Sequence, residues 1–349
     1  MVELWVREAL IRLNPDIAAQ PDRADEVIYN LRACLLSVQA DGLVCANENF
    51  MAWLRGEKTM PFGHHGEHVP VRLVDAVQPS NNRLTVTNQW TLQVGTVEKR
   101  FDVVFVVNGL PLVIGEAKTP TRSAVTWFDG AFQINQIYEK DVPAMFVPNV
   151  LSFATEGRLF RYGAIRMPIE MWGPWRNDDN QDAGQLHHVQ AAVESLLRPA
   201  VVLDILQHFT LFATDKQHRR IKSICRYQQY DTTNKIVARV VKGYPKKGLI
   251  WHFQGSGKSL LMVFAAQKLR LHPQRGNPTV IIVVDRIDLD TQISATFNAA
   301  DVPSFPDWQH TSQGERLVQK ELRRTLLKYK LHTDQDLFDK AYGYIRQYY

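Results

Sequence analysis

The stretch 101–118, FDVVFVVNGLPLVIGEAK, constrains this chain more than any other. Two apolar runs, 103–107 and 110–114, flank Asn108-Gly109, the strongest short signal for a β-hairpin. Polar groups gather at the open end. Asp102 lies on the first strand, and Glu116 and Lys118 lie on the second. Side chains alternate faces along a strand, so Glu116 and Lys118 share a face. Whether Asp102 joins them depends on register. A strict two-residue turn pairs Val107 with Leu110 and puts Asp102 opposite Gly115, on the wrong face. A longer loop, or a bulge, puts Asp102 opposite Glu116. Pro111 has no N–H for a ladder and favours the longer loop. The expectation is the register that joins all three.

Two carboxylates on one face suit Mg²⁺, a hard cation that takes oxygen ligands and keeps several waters. Such a metal acidifies bound water and stabilises charge on a phosphate undergoing displacement. A neighbouring lysine orients the nucleophile or steadies the oxyanion. Asp, an apolar strand and then Glu-x-Lys resembles the PD-(D/E)xK nuclease motif, with Phe101 where the usual proline stands. A helix is predicted after the hairpin, over 123–140. Restriction subunits with a hairpin that resembles this one often show Gln-x-x-x-Tyr there. This chain has Gln133, Gln136 and Tyr138, and neither glutamine lies four before the tyrosine.

The rest of the first half supports a mixed α/β domain. Helices are predicted over 1–13, with Leu4, Trp5, Ala9 and Leu13 on one face, and over 25–39. Strands are predicted over 69–77, 84–94, 144–147, 150–154 and 158–162. His64, His65 and His68 read as an exposed loop. The polar run after Trp175 is the best linker, which sets domains of 1–185 and 186–349. From 186 to 212 the pattern is helical, interrupted at Pro199.

A second centre of chemistry follows. A short strand is predicted at 249–251, then Gly255-Ser256-Gly257-Lys258-Ser259, a helix over 259–271 and an apolar strand over 279–284. A glycine-rich turn at a helix start binds phosphate through backbone N–H groups. Lys258 would reach the β/γ-phosphates of ATP, and Ser259 would ligate its Mg²⁺. His252 stands where a strict P-loop has glycine, a departure that helicase-type motors share. Gln228 or Gln229, within RYQQY at 226–230, could read adenine, since an amide offers a paired donor and acceptor. Arg286, after the second strand, is the candidate contact to the DNA backbone.

These segments together resemble the R subunit of type I restriction enzymes. The likeness rests on WLRGE at 53–57, the hairpin, RYQQY, GLIWHFQGSGKSL at 248–260 and VVDRIDLDTQ at 283–292. It implies a PD-(D/E)xK restriction-endonuclease-like mixed-sheet domain followed by a partial RecA-like parallel α/β lobe. Asp102, Glu116 and Lys118 would form the nuclease site. Double-stranded DNA and the methyltransferase (M) and specificity (S) subunits would be partners, with cleavage coupled to ATP-driven translocation. No Asp-Glu-x-His follows Val284, so a fragment lacking ATPase activity is expected, and residues ahead of Met1 are left open. The alternative is a non-catalytic DNA-binding or assembly module of another helicase–nuclease complex.

Composition sets the outer bounds. The 349 residues carry a net charge of +5 and are 45 % hydrophobic, which suits a soluble protein that tolerates nucleic acid. No apolar run approaches the roughly 18–20 residues of a membrane span. The scattered Cys34, Cys45 and Cys225 read as free thiols, so a cytoplasmic location is expected.

Overall fold

In this computed structural model, the structure describes residues 1–283 apart from Ser123, 177–183, Lys216, Arg275 and Asn277. Beyond them it describes 296–297, 319, 322–323 and 335–348. Met1–Ala300 form one compact unit and Asp301–Tyr349 a second. In the second unit, helix Gln335–Tyr348 carries Phe338, whose ring stacks on Tyr342 at 6.1 Å and lies under the Arg323 guanidinium.

The first unit opens with helices α1 (Glu3–Leu13), α2 (Pro15–Ala19), α3 (Arg23–Leu36), α4 (Val38–Asp41) and α5 (Leu43–Leu54). The buried face of α1 is Val6, Ala9 and Leu10; Leu4 is exposed, contrary to the predicted face. Strands β1 (Thr59–Met60) and β2 (Val69–Pro70) form a short pair. The strand predicted over 69–77 therefore ends almost at once. Asparagine side chains occupy the backbone beyond it. Asn14 bonds both the N–H and the carbonyl of Arg72, Asn108 bonds the Leu73 carbonyl, and Asn82 bonds both groups of Asp75. Those bonds replace a strand ladder.

The core is a five-stranded mixed sheet in the order β3 (Leu84–Val94), β4 (Val97–Val107), β5 (Leu110–Ala117), β6 (Leu151–Thr155) and β7 (Phe160–Gly163). All neighbours are antiparallel except β5 and β6, which are parallel. A parallel pair needs a crossover, and the helical segment after β5 supplies it. The predicted strand over 144–147 is instead a 3₁₀ turn, Pro143–Phe146, with Pro at its start.

The β4–β5 turn has two residues, not more. Val107 pairs with Leu110, and Asn108 and Gly109 take φ of 50° and 85°. Positive φ at both central residues suits the right-handed twist of the strands. The register then shifts: Val106 opposes Pro111, and Phe105 opposes Val113. Leu112 is thus a β-bulge, and it restores the expected pairing further along. The longer loop attributed to Pro111 is corrected. The closed end is pinned. Asn108 is 1 % exposed, bonds Arg12, Arg83, Leu73 and Asn82, and the Gly109 carbonyl accepts the Val2 N–H.

The crossover helix starts later than predicted. Thr126 caps α6 (Trp127–Phe132) with Asp129 reaching back, a capping box. A π-helical stretch, Gln133–Tyr138, and α7 (Glu139–Asp141) complete it. Gly130 lets α6 press onto the sheet: a Cβ there would lie 3.3–3.4 Å from Ala154 and Glu116.

Helices α8 (Leu186–Leu196) and α9 (Pro199–His208) match the helical pattern broken at Pro199. The hairpin β8 (Thr210–Thr214) and β9 (Arg220–Ile224), then α10 (Tyr227–Lys242) and α11 (Lys258–Leu271), follow. Tyr162 donates to the Cys225 carbonyl at 2.7 Å and Lys222 to the Asn149 carbonyl at 2.6 Å, joining this part to the sheet. Residues 249–251 and 279–283, predicted as strands, have no ladder partner among the described residues. Leu249, Trp251 and Val283 are 87 %, 88 % and 87 % exposed. A parallel strand is covered on both faces, and no described strand flanks either segment.

Candidate active site

Asp102 and Glu116 meet at the open end of the β4–β5 pair. The ladder pairs Val103 with Gly115, so Asp102 stands level with Glu116 one step on. Asp102 Oδ2 accepts the Ala117 N–H at 3.1 Å. Glu116 is 2 % exposed. Burial pushes its carboxyl up to about 7, against the hydrogen bond and charge of Lys118; the Asp102 carboxylate adds to the rise.

Lys118 Nζ donates to Glu116 Oε1 at 2.7 Å. Glu116 Oε2 is buried and has no hydrogen-bond partner among the described residues. Leaving such an atom unpaired costs about 1–3 kcal/mol. An orphaned carboxylate oxygen beside a second carboxylate is what a divalent cation would satisfy, so the residues fit one. The cleft offers two carboxylates, and no group of three His, Cys, Asp or Glu side chains stands close enough to hold a metal anywhere among the described residues.

Lys118 is itself positioned. Its Nζ also donates to Gln133 Oε1, and the Gln133 amide donates to the Tyr138 hydroxyl. Tyr138 donates in turn to the Arg100 carbonyl at 2.9 Å. Gln133 and Tyr138 are five apart, one more than in Gln-x-x-x-Tyr. The π-helical turn closes on the fifth residue and absorbs the difference. Gln136 bonds Asn135 and does not line the cleft. The cleft is bounded by Asp102, Glu116, Lys118, Gln133 and Tyr138, with Arg100 on the extended β4.

The glycine-rich loop leads into α11 with Gly257 at its N-cap. Gly255 and Gly257 take φ of 81° and 78°, conformations that favour glycine. Lys258 Nζ folds onto the His252 and Phe253 carbonyls at 3.2 and 2.9 Å. Ser256 is buried with its hydroxyl unpaired among the described residues, and Ser259 is half-buried at the start of α11. Gln229 is buried. Its Oε1 accepts the Arg226 N–H at 2.8 Å and its Nε2 donates to the Gly257 carbonyl at 3.0 Å. Gln229 therefore braces the loop, while Gln228 is half-buried one residue before it. Nothing in RYQQY signalled that brace, because it spans 28 residues. Arg286 lies outside the described residues.

A mixed sheet with a carboxylate–lysine cleft, followed by a glycine-rich loop capping a helix, defines an α/β protein. Residues 2–168 match the family model for the type I restriction enzyme R protein N terminus, and residues 228–335 match that for SWI2/SNF2 ATPases. The type I restriction enzyme HindI endonuclease subunit of Haemophilus influenzae is 33 % identical over 306 residues, covering 84 % of this chain and 28 % of that protein. A putative type I restriction enzyme endonuclease subunit of Methanocaldococcus jannaschii, MjaVIIIP, is 30 % identical over 59 % of this chain and 20 % of its own length. The SauMSSORF170P endonuclease subunit of Staphylococcus aureus is 27 % identical over 66 % of this chain and 24 % of its length. The chain thus spans less than a third of the relatives it matches. Through residues 2–168 the chain is similar to the N-terminal part of type I restriction enzyme R proteins.

Proposed function

We propose that this chain carries the nuclease of a type I restriction R subunit and cuts double-stranded DNA with Mg²⁺. In this reading 1–185 is the PD-(D/E)xK-like nuclease domain and 186–349 begins a RecA-like, helicase-type lobe. The observation that carries it is the orphaned Glu116 Oε2 beside Asp102, with Lys118 bonded to the other oxygen. Asp102 and Glu116 hold the cation. A bound Mg²⁺ would supply Lewis-acid stabilisation of charge on the phosphate. Lys118, oriented by Gln133, puts a fixed positive charge beside the same phosphate. Glu116 must shed its proton to serve as a ligand, so cation binding strengthens as pH rises through about 7.

In the second lobe Gly255, Ser256, Gly257, Lys258 and Ser259 serve ATP, with Ser259 on its Mg²⁺ and Gln228 or Gln229 at the adenine. The match to ATPases supports that assignment. Lys258 would exchange its loop carbonyls for phosphate oxygens. Arg286 contacts the DNA backbone. The M and S subunits supply target recognition, and translocation belongs to the assembled enzyme.

The test is Glu116→Ala. Mn²⁺ titration of the 349-residue chain and DNA cleavage by a complex reconstituted with M and S subunits are the readouts. The substitution is expected to abolish cation binding at the cleft and lower cleavage by about 100-fold or more. Unchanged Mn²⁺ binding and cleavage would overturn the assignment.

A further inference from the structure

Gln89 sits inside β3 with φ +53°, in the left-handed region. The other non-glycine residues with positive φ among those described, Asn108, Arg166 and His218, lie in turns or bends. A glutamine in the middle of a strand gains nothing locally from this conformation, and such strain persists only where surrounding structure imposes it. It is not the mark of a register slip. Asn88 pairs with Val103 and Trp90 with Phe101, so the ladder keeps step through Gln89. The residue opposite Gln89 in that step is Asp102.

The side chain completes the picture. Gln89 Nε2 faces Asp102 Oδ1 at 3.5 Å, while Ala117 N–H holds Oδ2 at 3.1 Å. The carboxylate is thus approached from both neighbouring strands, by backbone on one side and by an amide on the other. Because β3 is the edge of the sheet, its kink disturbs no strand beyond it.

We propose that Gln89 is a positioning residue for Asp102, turned by its left-handed backbone so that its amide fixes the carboxylate in the orientation that shares a divalent cation with Glu116. The proposal rests on the nuclease reading of the carboxylate pair. A carboxylate held at one oxygen still rotates about its last bond. Held at both, it presents its remaining lone pairs in one direction, and cation binding no longer has to freeze it.

Two variants separate the amide from the backbone. Gln89→Gly keeps the left-handed conformation without strain and deletes the amide. Gln89→Asn keeps an amide on a residue that tolerates this conformation. Mn²⁺ titration by electron paramagnetic resonance and thermal unfolding would be measured on the full chain, with Glu116→Ala as reference. Gln89→Gly is expected to bind Mn²⁺ about 10-fold more weakly with Tm equal or higher, and Gln89→Asn to fall between. Mn²⁺ binding by Gln89→Gly as tight as by the unsubstituted chain overturns the proposal and leaves Gln89 a strand kink. Weakened binding together with a lowered Tm marks a merely structural role and overturns it too. If the unsubstituted chain binds no more Mn²⁺ than Glu116→Ala, the nuclease reading itself fails, and this proposal with it.

Discussion

The carboxylate cleft and the glycine-rich loop belong to the same compact unit, but they are built differently. Every wall of the cleft comes from paired strands or from the helix laid over them. Asp102 is held by β5, Lys118 by the crossover helix, and Tyr138 by β4. The loop has its helix and the Gln229 brace, while the apolar segments on either side of it lie exposed. A hairpin brings most of its partners with it in sequence. A parallel strand depends on neighbours it does not carry, so an equally clear motif need not bring ladder partners with it among the described residues.

Amide hydrogen exchange would break this comparison most directly. The β4 amides between Val103 and Val106 are expected to exchange at least ~10³ times more slowly than those of 249–251 and 280–283. Strong protection of the two loop-flanking segments would show that they are structured after all.

Ionisation of Glu116 sharpens the contrast from the other side. Its carboxyl sits near 7 in the fold, above its free value. The penalty for ionising it is therefore absent below the free value, and stability is lost as pH rises from there through about 7. Glu116→Gln should stabilise the chain by about 2–3 kcal/mol at pH 8 and give no such gain near pH 4. Denaturant unfolding at the two pH values measures it; an equal gain at both would mean that ionisation is not the cause.

The smallest effect is local to the cleft. Gln133→Leu removes the link between Lys118 and Tyr138 and should cost about 1 kcal/mol. Affinity for an ATP analogue should stay as it was. A matching drop in nucleotide affinity would tie the two sites more closely than their separate construction suggests.

The hairpin, its register and the carboxylate–lysine set were legible because alternation along a strand is a strict rule. The turn itself was misjudged: Asn108-Gly109 makes the short turn, and the bulge at Leu112 does what a longer loop was invoked to do. The Gln133–Tyr138 pairing was half legible. Both residues stood out, but a π-helical turn leaves no mark in composition. The false strand over 69–77 shows the limit of periodicity, since asparagines from 14, 82 and 108 take its backbone bonds from a distance. Gln89 gave no signal at all, because a left-handed residue within a strand leaves no mark in periodicity or composition. No described helix is long and apolar enough to cross a membrane, and His64, His65 and His68 are exposed as expected.

Leu112 is the residue by which β5 outruns β4 between the turn and the acids. A homologue that lost one residue anywhere from 106 to 112 would carry Asp102 and Glu116 to opposite faces of the sheet, with every side chain otherwise intact. Loss of two would only shorten the hairpin. Insertions and deletions here are therefore filtered by whether they are odd or even, and a sequence can lose this cleft without changing any of the residues that form it.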